Sequence, residues 1–276
     1  MEGIELEGAV VAVTGGARGI GRATGAEFAR RGARVWVGDI DAPAAEAAAA
    51  AIGSGARGLA LDVTSRDSFA AFLGTVADEA GPLDVLVNNA GIMPLGSFLE
   101  EDDATSRRTI DVNLWGPILG MRLALPEMVA RRQGHVINVA SMMGKLHVPG
   151  AAVYGASKYG AVGLGLAVRD ELEGTGVTLT TVLPSAVKTD LLDGVPLDRW
   201  MPTVEPEQVA KAIADSCKGR PAEVYVPGWI SAYEPATALV PGRVLGAVRR
   251  LIGHDRVLTS LDEKARADYD RRVKGE

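Results

Sequence analysis

Cysteine is almost absent from this chain of 276 residues, which contains only Cys217. A single cysteine excludes an intrachain disulfide and a cysteine-rich metal site, and it suits a reducing compartment. The three histidines are too scattered in the sequence to suggest metal ligands, so no metal site is expected. No uncharged apolar stretch approaches the roughly 18–20 residues that a membrane-spanning helix needs. These absences predict a cytoplasmic protein without a bound metal.

An excess of positive charge is also lacking. Lysine and arginine number 29 against 35 acidic residues, which leaves a net charge of −6. Nucleic acid is therefore not expected as a partner, because a phosphate backbone is bound by clustered basic side chains. The hydrophobic content of 47% and charged content of 23% are typical of a globular protein with a substantial core.

Short apolar runs alternate with segments of helical length. Ala9–Thr14 precedes a helical pattern over Gly19–Arg31, and Val35–Gly38 precedes the alanine-rich segment Ala42–Ile52. The alternation predicts an α/β fold of the doubly wound Rossmann type, with a mostly parallel sheet and helices on both faces. With no internal repeat and no dividing linker, we expect one domain over residues 1–228. The further predicted strands are Gly58–Val63, Leu83–Asn88, His135–Ala140, Val177–Leu183 and Glu223–Val226.

Residues 229–276 form a tail with two helical patterns, Gly242–Ile252 and Thr259–Val273. The first pattern combines an apolar stripe with three arginines, and a basic amphipathic helix can lie on an anionic membrane surface. We favour the alternative, in which the tail packs on the domain or on a neighbouring subunit and covers the substrate mouth. The stripe and its arginines are Val244, Leu245, Val248, Leu251 and Ile252, with Arg243, Arg249 and Arg250.

A glycine cluster lies between the first predicted strand and the first helix, with the spacing Gly-x3-Gly-x-Gly. Glycines let a backbone approach a pyrophosphate closely, and a helix N-terminus presents free N–H groups to the anion. An ordinary turn would also contain glycine, but the position between strand and helix favours a dinucleotide site. Its residues are Thr14, Gly15, Arg18, Gly19, Ile20 and Gly21.

Asp39 ends the second predicted strand, 18 residues beyond Gly21. A carboxylate at about this distance accepts hydrogen bonds from the adenosine ribose and would repel the 2′-phosphate of NADP. Arg18 could instead pair with that phosphate, and Asp39 could simply be a charge at a helix N-terminus. NAD is therefore favoured as cofactor, and NADP stays open.

The chemistry-bearing residues follow later strands. Tyr154 and Lys158 lie four residues apart, which is one turn of a helix. Ser141 comes directly after a predicted strand, at the carboxyl edge of the sheet, where parallel sheets bind ligands. Asn88–Gly91 follow another strand at that same edge, and Asn113 lies in a long helical stretch between them.

Together these motifs resemble the short-chain dehydrogenase/reductase family, from about residue 8 to residue 226. The resemblance implies that Tyr154 is the general acid and base and that Ser141 hydrogen-bonds the substrate oxygen. Lys158 would bind the nicotinamide ribose and, together with the positively charged nicotinamide, lower the pKa of Tyr154, while Asn113 would hold a water that links Lys158 to solvent. The implied cofactor-binding residues also include Asp62, Val63, Asn88, Ala90, Gly91, Pro184, Val187 and Thr189.

One position departs from the family pattern, because Ser185 stands where the family usually has glycine after proline. Serine tolerates a positive φ less well, so the substrate side of the pocket is expected to differ in shape. The segments expected near the reacting carbon are largely apolar and predict a hydrophobic alcohol, ketone, steroid or acyl substrate, unless they merely pack the lid. Their apolar residues are Ile92, Met93, Leu95, Met142, Met143, Leu146, Leu191, Leu192, Trp200 and Met201.

Two other functions remain open. An NADP-dependent carbonyl or 3-oxoacyl reductase would use Arg18 to select the phosphate. A non-catalytic nucleotide-sensing or membrane-associated protein would keep the fold without turnover, although it would have little need for all four catalytic side chains. The family also implies a homodimer or homotetramer, built through the long helices that contain Asn113 and Tyr154.

Overall fold

The computed structural model describes residues 3–195, 202–232 and 260–274. Its strands are β1 (Val10–Thr14), β2 (Arg34–Asp39), β3 (Arg57–Ala60), β4 (Val85–Asn88), β5 (Gly134–Val139), β6 (Val177–Pro184), β7 (Ala186–Val187), β8 (Thr203–Val204) and β9 (Glu223–Val226). Seven of them form a parallel sheet in the order β3-β2-β1-β4-β5-β6-β9, and β7 pairs with β8 separately. The predicted parallel, doubly wound architecture is confirmed.

Helices cover both faces of this sheet because its strands are apolar on both sides. Val11 and Val13 pack with Phe28 in one core cluster, whereas Val10 and Ala12 pack in another on the opposite face, as strand alternation requires. The helices are α1 (Gly19–Arg30), α2 (Ala42–Ile52), α3 (Arg66–Ala80), α4 (Asp103–Ile110), α5 (Gly116–Arg131), α6 (Ala152–Glu171), α7 (Pro206–Gly219) and α8 (Glu263–Lys274).

The third strand ends earlier than the sequence predicts, at Ala60 rather than Val63. The side chain of Asp62 explains the difference, because it accepts hydrogen bonds from the backbone N–H and the hydroxyl of Thr64, at 2.9 and 2.7 Å. This local turn competes with strand pairing. The displaced residues instead lie at the carboxyl edge of the sheet, where ligands bind in such folds.

Helices α4 and α5 are joined without a break by a π-helical turn, Asp111–Trp115. The sequence predicts a long helix here and does not predict the wider turn. Asn113 lies at its centre and is buried. Because π turns widen a helix locally and often occur at functional sites, the turn singles out the position of Asn113.

The second predicted tail helix is present as α8, which begins at Glu263 rather than Thr259. Asp262 explains this start, because its carboxylate accepts the backbone N–H groups of Lys264 and Ala265, both at 3.1 Å. The other predicted tail helix, Gly242–Ile252, lies outside the described residues. Within the described ranges, no helix is both long and apolar enough to cross a membrane.

Candidate active site

A cavity of about 1240 Å³ lies at the carboxyl edge of the sheet, and it brings together most of the residues predicted from sequence. Asp39 lines one end of it, and Ser141 with Tyr154 lines the other. The predicted site residues in its wall are Gly15, Arg18, Gly19, Ile20, Gly21, Asp39, Asp62, Val63, Ala90, Gly91, Ser141, Tyr154, Lys158, Pro184, Val187 and Thr189.

Thr14 and Asn88, which the sequence also predicts to contact a cofactor, are not among the residues that line the cavity. The Thr14 hydroxyl instead accepts the backbone N–H groups of Asn89 and Ala90, both at 3.0 Å. Asn88 is buried and donates to the side-chain oxygen of Asn138 at 2.9 Å. Both side chains therefore hold the strand ends together behind the cavity.

Sequence reasoning assigned no role to Asn89, which does line the cavity. Its side-chain amide donates to the backbone oxygens of Thr14 and Gly15, at 2.9 and 3.1 Å. Because successive residues at a strand end point to opposite sides, Asn88 turns into the protein interior and Asn89 toward the glycine loop. That alternation was the signal that could have separated the two asparagines.

The glycine loop packs so tightly that side chains are excluded. A Cβ atom at Gly21 would lie 2.0 Å from the Gly15 carbonyl oxygen, and one at Gly15 would lie 2.7 Å from the Ala90 Cα. Gly15 also has a φ of +63°, which favours glycine. No side chain caps the N-terminus of α1, so its first N–H groups remain available to an anion. This cradle fits the pyrophosphate of a dinucleotide.

At the far end of the cavity, Asp39 is tied to the glycine loop. Its carboxylate accepts the backbone N–H of Ala17 at 3.1 Å and that of Asp41 at 3.2 Å. Arg18 forms an ion pair with Asp41, with 2.6 Å between the guanidinium nitrogen and the carboxylate oxygen. Arg18 thereby holds the pKa of Asp41 below its usual value. Arg18 and Asp39, which favour different cofactors when judged from the sequence, therefore each have other partners in the structure.

Tyr154, Ser141 and Lys158 meet at the other end. Tyr154 lies in the first turn of α6, close enough to Ser141 for that side chain to lower the pKa of its phenol. The Lys158 ammonium lies 5.8 Å from the centre of the Tyr154 ring and donates to the Val139 carbonyl oxygen at 3.1 Å. The end of β5 and one turn of α6 therefore assemble the three groups.

Burial dominates the proton affinities of this cluster. It raises the pKa of Tyr154 to about 12, and the hydrogen bond with Ser141 opposes that rise. Burial also lowers the pKa of Lys158 to about 8. The lowering expected from Lys158 together with a positively charged nicotinamide is therefore not produced by the protein's own groups, because desolvation of the phenolate dominates.

Asn113 reaches the cluster from the π turn but does not line the cavity. Its side-chain oxygen accepts the Ile92 N–H at 2.9 Å, while its amide donates to the Ile92 carbonyl at 2.8 Å and to the Ser157 hydroxyl at 3.0 Å. A Cβ atom at Gly91 would lie 3.3 Å from the Asn113 oxygen and 3.5 Å from the Lys158 nitrogen. Asn113 thus fixes the loop beside Lys158, because both its side-chain oxygen and its side-chain nitrogen form hydrogen bonds within the protein.

The substrate end is apolar, as the sequence predicts. Met93, Val148 and Ala151 pack around Tyr154, and further aliphatic side chains lie against them. Trp200 and Met201, also expected here, lie outside the described residues. Sequence reasoning missed several residues that line the cavity from the later part of the chain. These are Pro202, Trp229, Ile230, Tyr269, Arg272 and Val273.

Ser185 stands where the family usually has glycine, and it is not among the described residues with a positive φ. Its hydroxyl donates to the Pro202 carbonyl oxygen at 2.7 Å, and its backbone N–H donates to the Val226 carbonyl oxygen at 2.8 Å. The serine therefore joins the segment after β6 to the start of β8. No backbone strain accompanies the replacement of glycine at this position.

Comparison with known proteins agrees with this geometry. The family described as "short chain dehydrogenase" matches residues 9–200, so the chain belongs to the short-chain dehydrogenase/reductase family. Rat 17-beta-hydroxysteroid dehydrogenase 13 is 31% identical over 252 residues, which cover 89% of this chain and 84% of that protein. The 3-oxoacyl-acyl-carrier-protein reductase of Vibrio harveyi is 36% identical over 224 residues, covering 76% and 90% of the two chains.

Solved structures of the same family share the fold. A short-chain dehydrogenase/reductase from Burkholderia phymatum, in complex with NAD, superposes with a TM-score of 0.77 at 22% identity and covers 84% of this chain and 93% of its own. Another family member superposes with a TM-score of 0.72 at 33% identity, covering 80% and 97%. The protein is accordingly an oxidoreductase of alcohol or keto groups, from a family that uses NAD or NADP.

Proposed function

We propose that this protein transfers hydride between NAD and the carbinol or carbonyl carbon of an apolar small molecule. The observation that carries the proposal is the meeting of Ser141, Tyr154 and Lys158 at the apolar end of a cavity whose other end is a glycine cradle. A bound dinucleotide supplies the hydride acceptor in oxidation and the hydride donor in reduction. The protein supplies binding, orientation and proton transfer.

Tyr154 is the proposed general base in oxidation. Its phenolate removes the alcohol proton while hydride leaves the carbinol carbon, and in reduction its phenol returns a proton to the forming alkoxide. Ser141 hydrogen-bonds the same substrate oxygen and stabilises the charge that develops there. Because burial raises the pKa of Tyr154 to about 12, formation of the phenolate needs positive charge nearby. Lys158 contributes part of it and binds the nicotinamide ribose with its remaining N–H groups.

NAD is proposed over NADP because of the charges at the adenosine end. The carboxylate of Asp39 lies beside the glycine loop, and a 2′-phosphate there would meet a like charge. Arg18 would counter this repulsion only if it were free, and its guanidinium is paired with Asp41 at 2.6 Å. The proposed cofactor site also includes Asp62 and Val63, whose side chains border the adenine.

An apolar substrate is proposed because the pocket around Tyr154 is lined by methionine, leucine and valine side chains. The relatives named as hydroxysteroid dehydrogenase and 3-oxoacyl reductase agree with an extended hydrophobic ketone or alcohol. The 3-oxoacyl reductases keep an acyl substrate as a second candidate. A binding protein without turnover is disfavoured, because it would have no need of a Ser-Tyr-Lys cluster.

We further propose a single domain with α8 packed on it, a cytoplasmic location and a homo-oligomer. Trp115 and Tyr159 leave 40% and 43% of their surface exposed near the π turn and on α6, the elements expected to meet a second subunit. Light scattering coupled to size exclusion, on the wild type and on Trp115→Glu, tests that assembly. The expected result is a dimer or tetramer that the charged variant dissociates.

Initial rates followed by nicotinamide absorbance test the activity directly. The panel should hold hydrophobic secondary alcohols and the matching ketones, with NAD and NADP run in parallel. Turnover of apolar substrates with NAD supports the proposal, whereas equal rates with NADP contradict the cofactor assignment. A preference for small sugars or charged acids contradicts the substrate class. Bound NADH without any turnover would favour a binding protein.

A further inference from the structure

Helix α8 contacts the substrate end of the cavity although it lies more than fifty residues beyond the segment that matches the family. Tyr269, Arg272 and Val273 line the cavity from this helix. The residues that make the reaction possible all precede Pro202. Helix α8 therefore forms part of the cavity wall but contributes none of the proposed catalytic residues. A wall of this kind can select among substrates.

Arg266 attaches this helix to the two loops that border the substrate end. Its side chain is fully buried. Its guanidinium donates to the carbonyl oxygens of Leu191 and Asp193 on one loop, at 2.9 and 3.2 Å, and to that of Met93 on the other. Asp270, one turn further along α8, lies 3.2 Å away and balances the charge. A buried cation held by three carbonyls fixes the helix in one position.

Of the three residues of α8 that line the cavity, Tyr269 is the most buried. Only 5% of its surface is exposed, and its hydroxyl oxygen accepts the backbone N–H of Met93 at 2.6 Å. Its ring lies 4.5 Å from the guanidinium of Arg266 and 6.0 Å from that of Arg272, which pairs with Asp190 at 2.8 Å. Arginines and the Met93 backbone thus hold the ring in place, and a rigid aromatic side chain cannot give way to a longer substrate.

Met93 links this ring to the reacting centre. Its side chain belongs to the apolar cluster that contains Tyr154, and its backbone N–H donates to the hydroxyl oxygen of Tyr269. Burial raises the pKa of the Tyr269 phenol, so it stays neutral and cannot replace Tyr154 as a base. The two tyrosines therefore divide the roles, with Tyr154 at the reacting oxygen and Tyr269 at the pocket wall.

From these contacts we infer that Tyr269 is a specificity-determining residue, which limits how far an apolar substrate extends past its carbinol carbon. Arg266 is the positioning residue that holds Tyr269 there. The inference rests on the proposed function, because it concerns the substrate of the same site. The substrate class is a hydrophobic secondary alcohol or ketone. The two alkyl groups on its reacting carbon are its arms, and the shorter arm meets the phenol ring of Tyr269.

The experiment compares a homologous series of straight-chain secondary alcohols with NAD, in the wild type, Tyr269→Ala, Tyr269→Leu and Tyr269→Phe. The ratio of kcat/KM for long-armed to short-armed substrates is expected to rise about tenfold or more in Tyr269→Ala, since each methylene in an apolar pocket is worth about 10- to 200-fold. The rise should appear mainly in KM, with the KM for NAD unchanged. Tyr269→Phe keeps the ring and should keep the ratio.

Arg271→Ala is the matched control, because Arg271 lies on the same helix with its side chain 60% exposed and pairs with Asp268 of that helix. Tyr269→Leu guards against local unfolding of α8, since it shortens the side chain but keeps apolar packing. Arg266→Met should shift the ratio in the same direction as Tyr269→Ala by releasing the helix. An unchanged ratio in both Tyr269→Ala and Tyr269→Leu would overturn the inference.

A second readout does not depend on turnover. The same series as ketones, titrated calorimetrically into the protein with NAD, which has no hydride to give to a ketone, measures how Kd varies with arm length. Long-armed ketones should gain affinity in Tyr269→Ala and not in Arg271→Ala. If the wild type binds ketones but turns over none, the proposed function fails while this comparison still decides the role of Tyr269. Equal length dependence in all variants would overturn that role alone.

Discussion

The guanidinium of Arg18 lies 2.6 Å from the carboxylate of Asp41, at the end of the cavity opposite Tyr154. Arg18 lies inside the glycine loop, where a free cation would attract a 2′-phosphate, whereas Asp41 begins the second helix. The ion pair therefore couples cofactor selection to a residue outside the glycine motif. Because both side chains are more than a third exposed, solvent and salt weaken the pair, and substitution can shift the balance.

Asp41→Asn is expected to raise kcat/KM for NADP about tenfold while that for NAD changes little. Asparagine can still accept the Ala44 N–H that caps α2, so the helix is retained, but the charge that holds Arg18 is removed. Parallel initial rates with both dinucleotides measure the ratio. Asp103→Asn, an acidic residue in the first turn of α4, is the control. A ratio that equals the wild type's would show that Arg18 does not reach the phosphate.

Asp39→Ala is expected to relax cofactor choice further, by about 10- to 100-fold in the same ratio, since like charges at close range cost several kcal/mol. The effect should add to that of Asp41→Asn, because one substitution removes repulsion and the other frees an attracting cation. Isothermal titration of NADP separates binding from turnover. Loss of NAD binding without any gain for NADP would mean that Asp39 only braces the glycine loop through Ala17.

Tyr154→Phe is expected to bind NADH as the wild type does and to lose turnover by about 10²–10⁴-fold, the contribution typical of a general acid–base group. The variant removes one hydroxyl from a buried ring and leaves the glycine cradle untouched. Nicotinamide fluorescence measures binding, and absorbance measures the rate. Tyr159→Phe is a matched control on the same helix, because Tyr159 is not among the residues that line the cavity. Undiminished turnover in Tyr154→Phe would remove Tyr154 from the mechanism.

Asn113→Asp is expected to lower the free energy of unfolding by about 2–4 kcal/mol at pH 7, because two donors are lost and a carboxylate is buried. The lost bonds are those to the Ile92 carbonyl and the Ser157 hydroxyl. Turnover should fall as well, since Ile92 follows the Gly91 loop beside Lys158. Urea denaturation and initial rates measure the two effects. Stability equal to the wild type's would contradict the hydrogen-bond assignment.

His135 should make the fold sensitive to acid. Burial, and then the charge of Arg220, lower the pKa of His135 to about 3 from an ordinary 6.5. The unfolded chain therefore binds this proton first as the pH falls. The contribution of neutral His135 to the free energy of unfolding is fully present above pH 6.5 and is lost as the pH falls toward 3. The free energy of unfolding should fall by about 1.4 kcal/mol per pH unit in this range, or by about 2 kcal/mol between pH 6.5 and 5.

Comparing urea unfolding of the wild type and His135→Asn at pH 7 and at pH 5 tests this. The asparagine amide can still reach Thr178, which bonds the histidine ring at 2.8 Å, but it does not titrate. The variant should lose about 2 kcal/mol less than the wild type on acidification. An equal loss would assign the acid sensitivity to carboxylates elsewhere.

Much of the fold could be predicted because each element depends on neighbouring residues. The observed bounds of α2 and β9 are those predicted, and α1 differs by one residue. The third strand was predicted too long, because the turn at Asp62 depends on a side-chain hydrogen bond that no periodicity reveals. The π turn around Asn113 was missed for a related reason, since its residues are compatible with an ordinary helix.

The candidate site was partly predictable. Glycine spacing, Asp39 and the Tyr-x3-Lys pair indicated dinucleotide chemistry, and the cavity brings those residues together. The orientation of Asn88 away from the cavity and of Asn89 toward it was not predicted. Nor was the rise in the pKa of Tyr154, because the desolvation of a phenol depends on every element that buries it.

The sequence by itself determined the class of this protein, because the residue types and spacings that bind a dinucleotide and move a proton are local. Only the tertiary structure decided which distant residues share the pocket. Tyr269 meets the backbone of Met93 across 176 positions, and Arg266 meets the same loop across 173. Such contacts result from the packing of the whole chain, in which many weak interactions place one helix, and no short pattern encodes them.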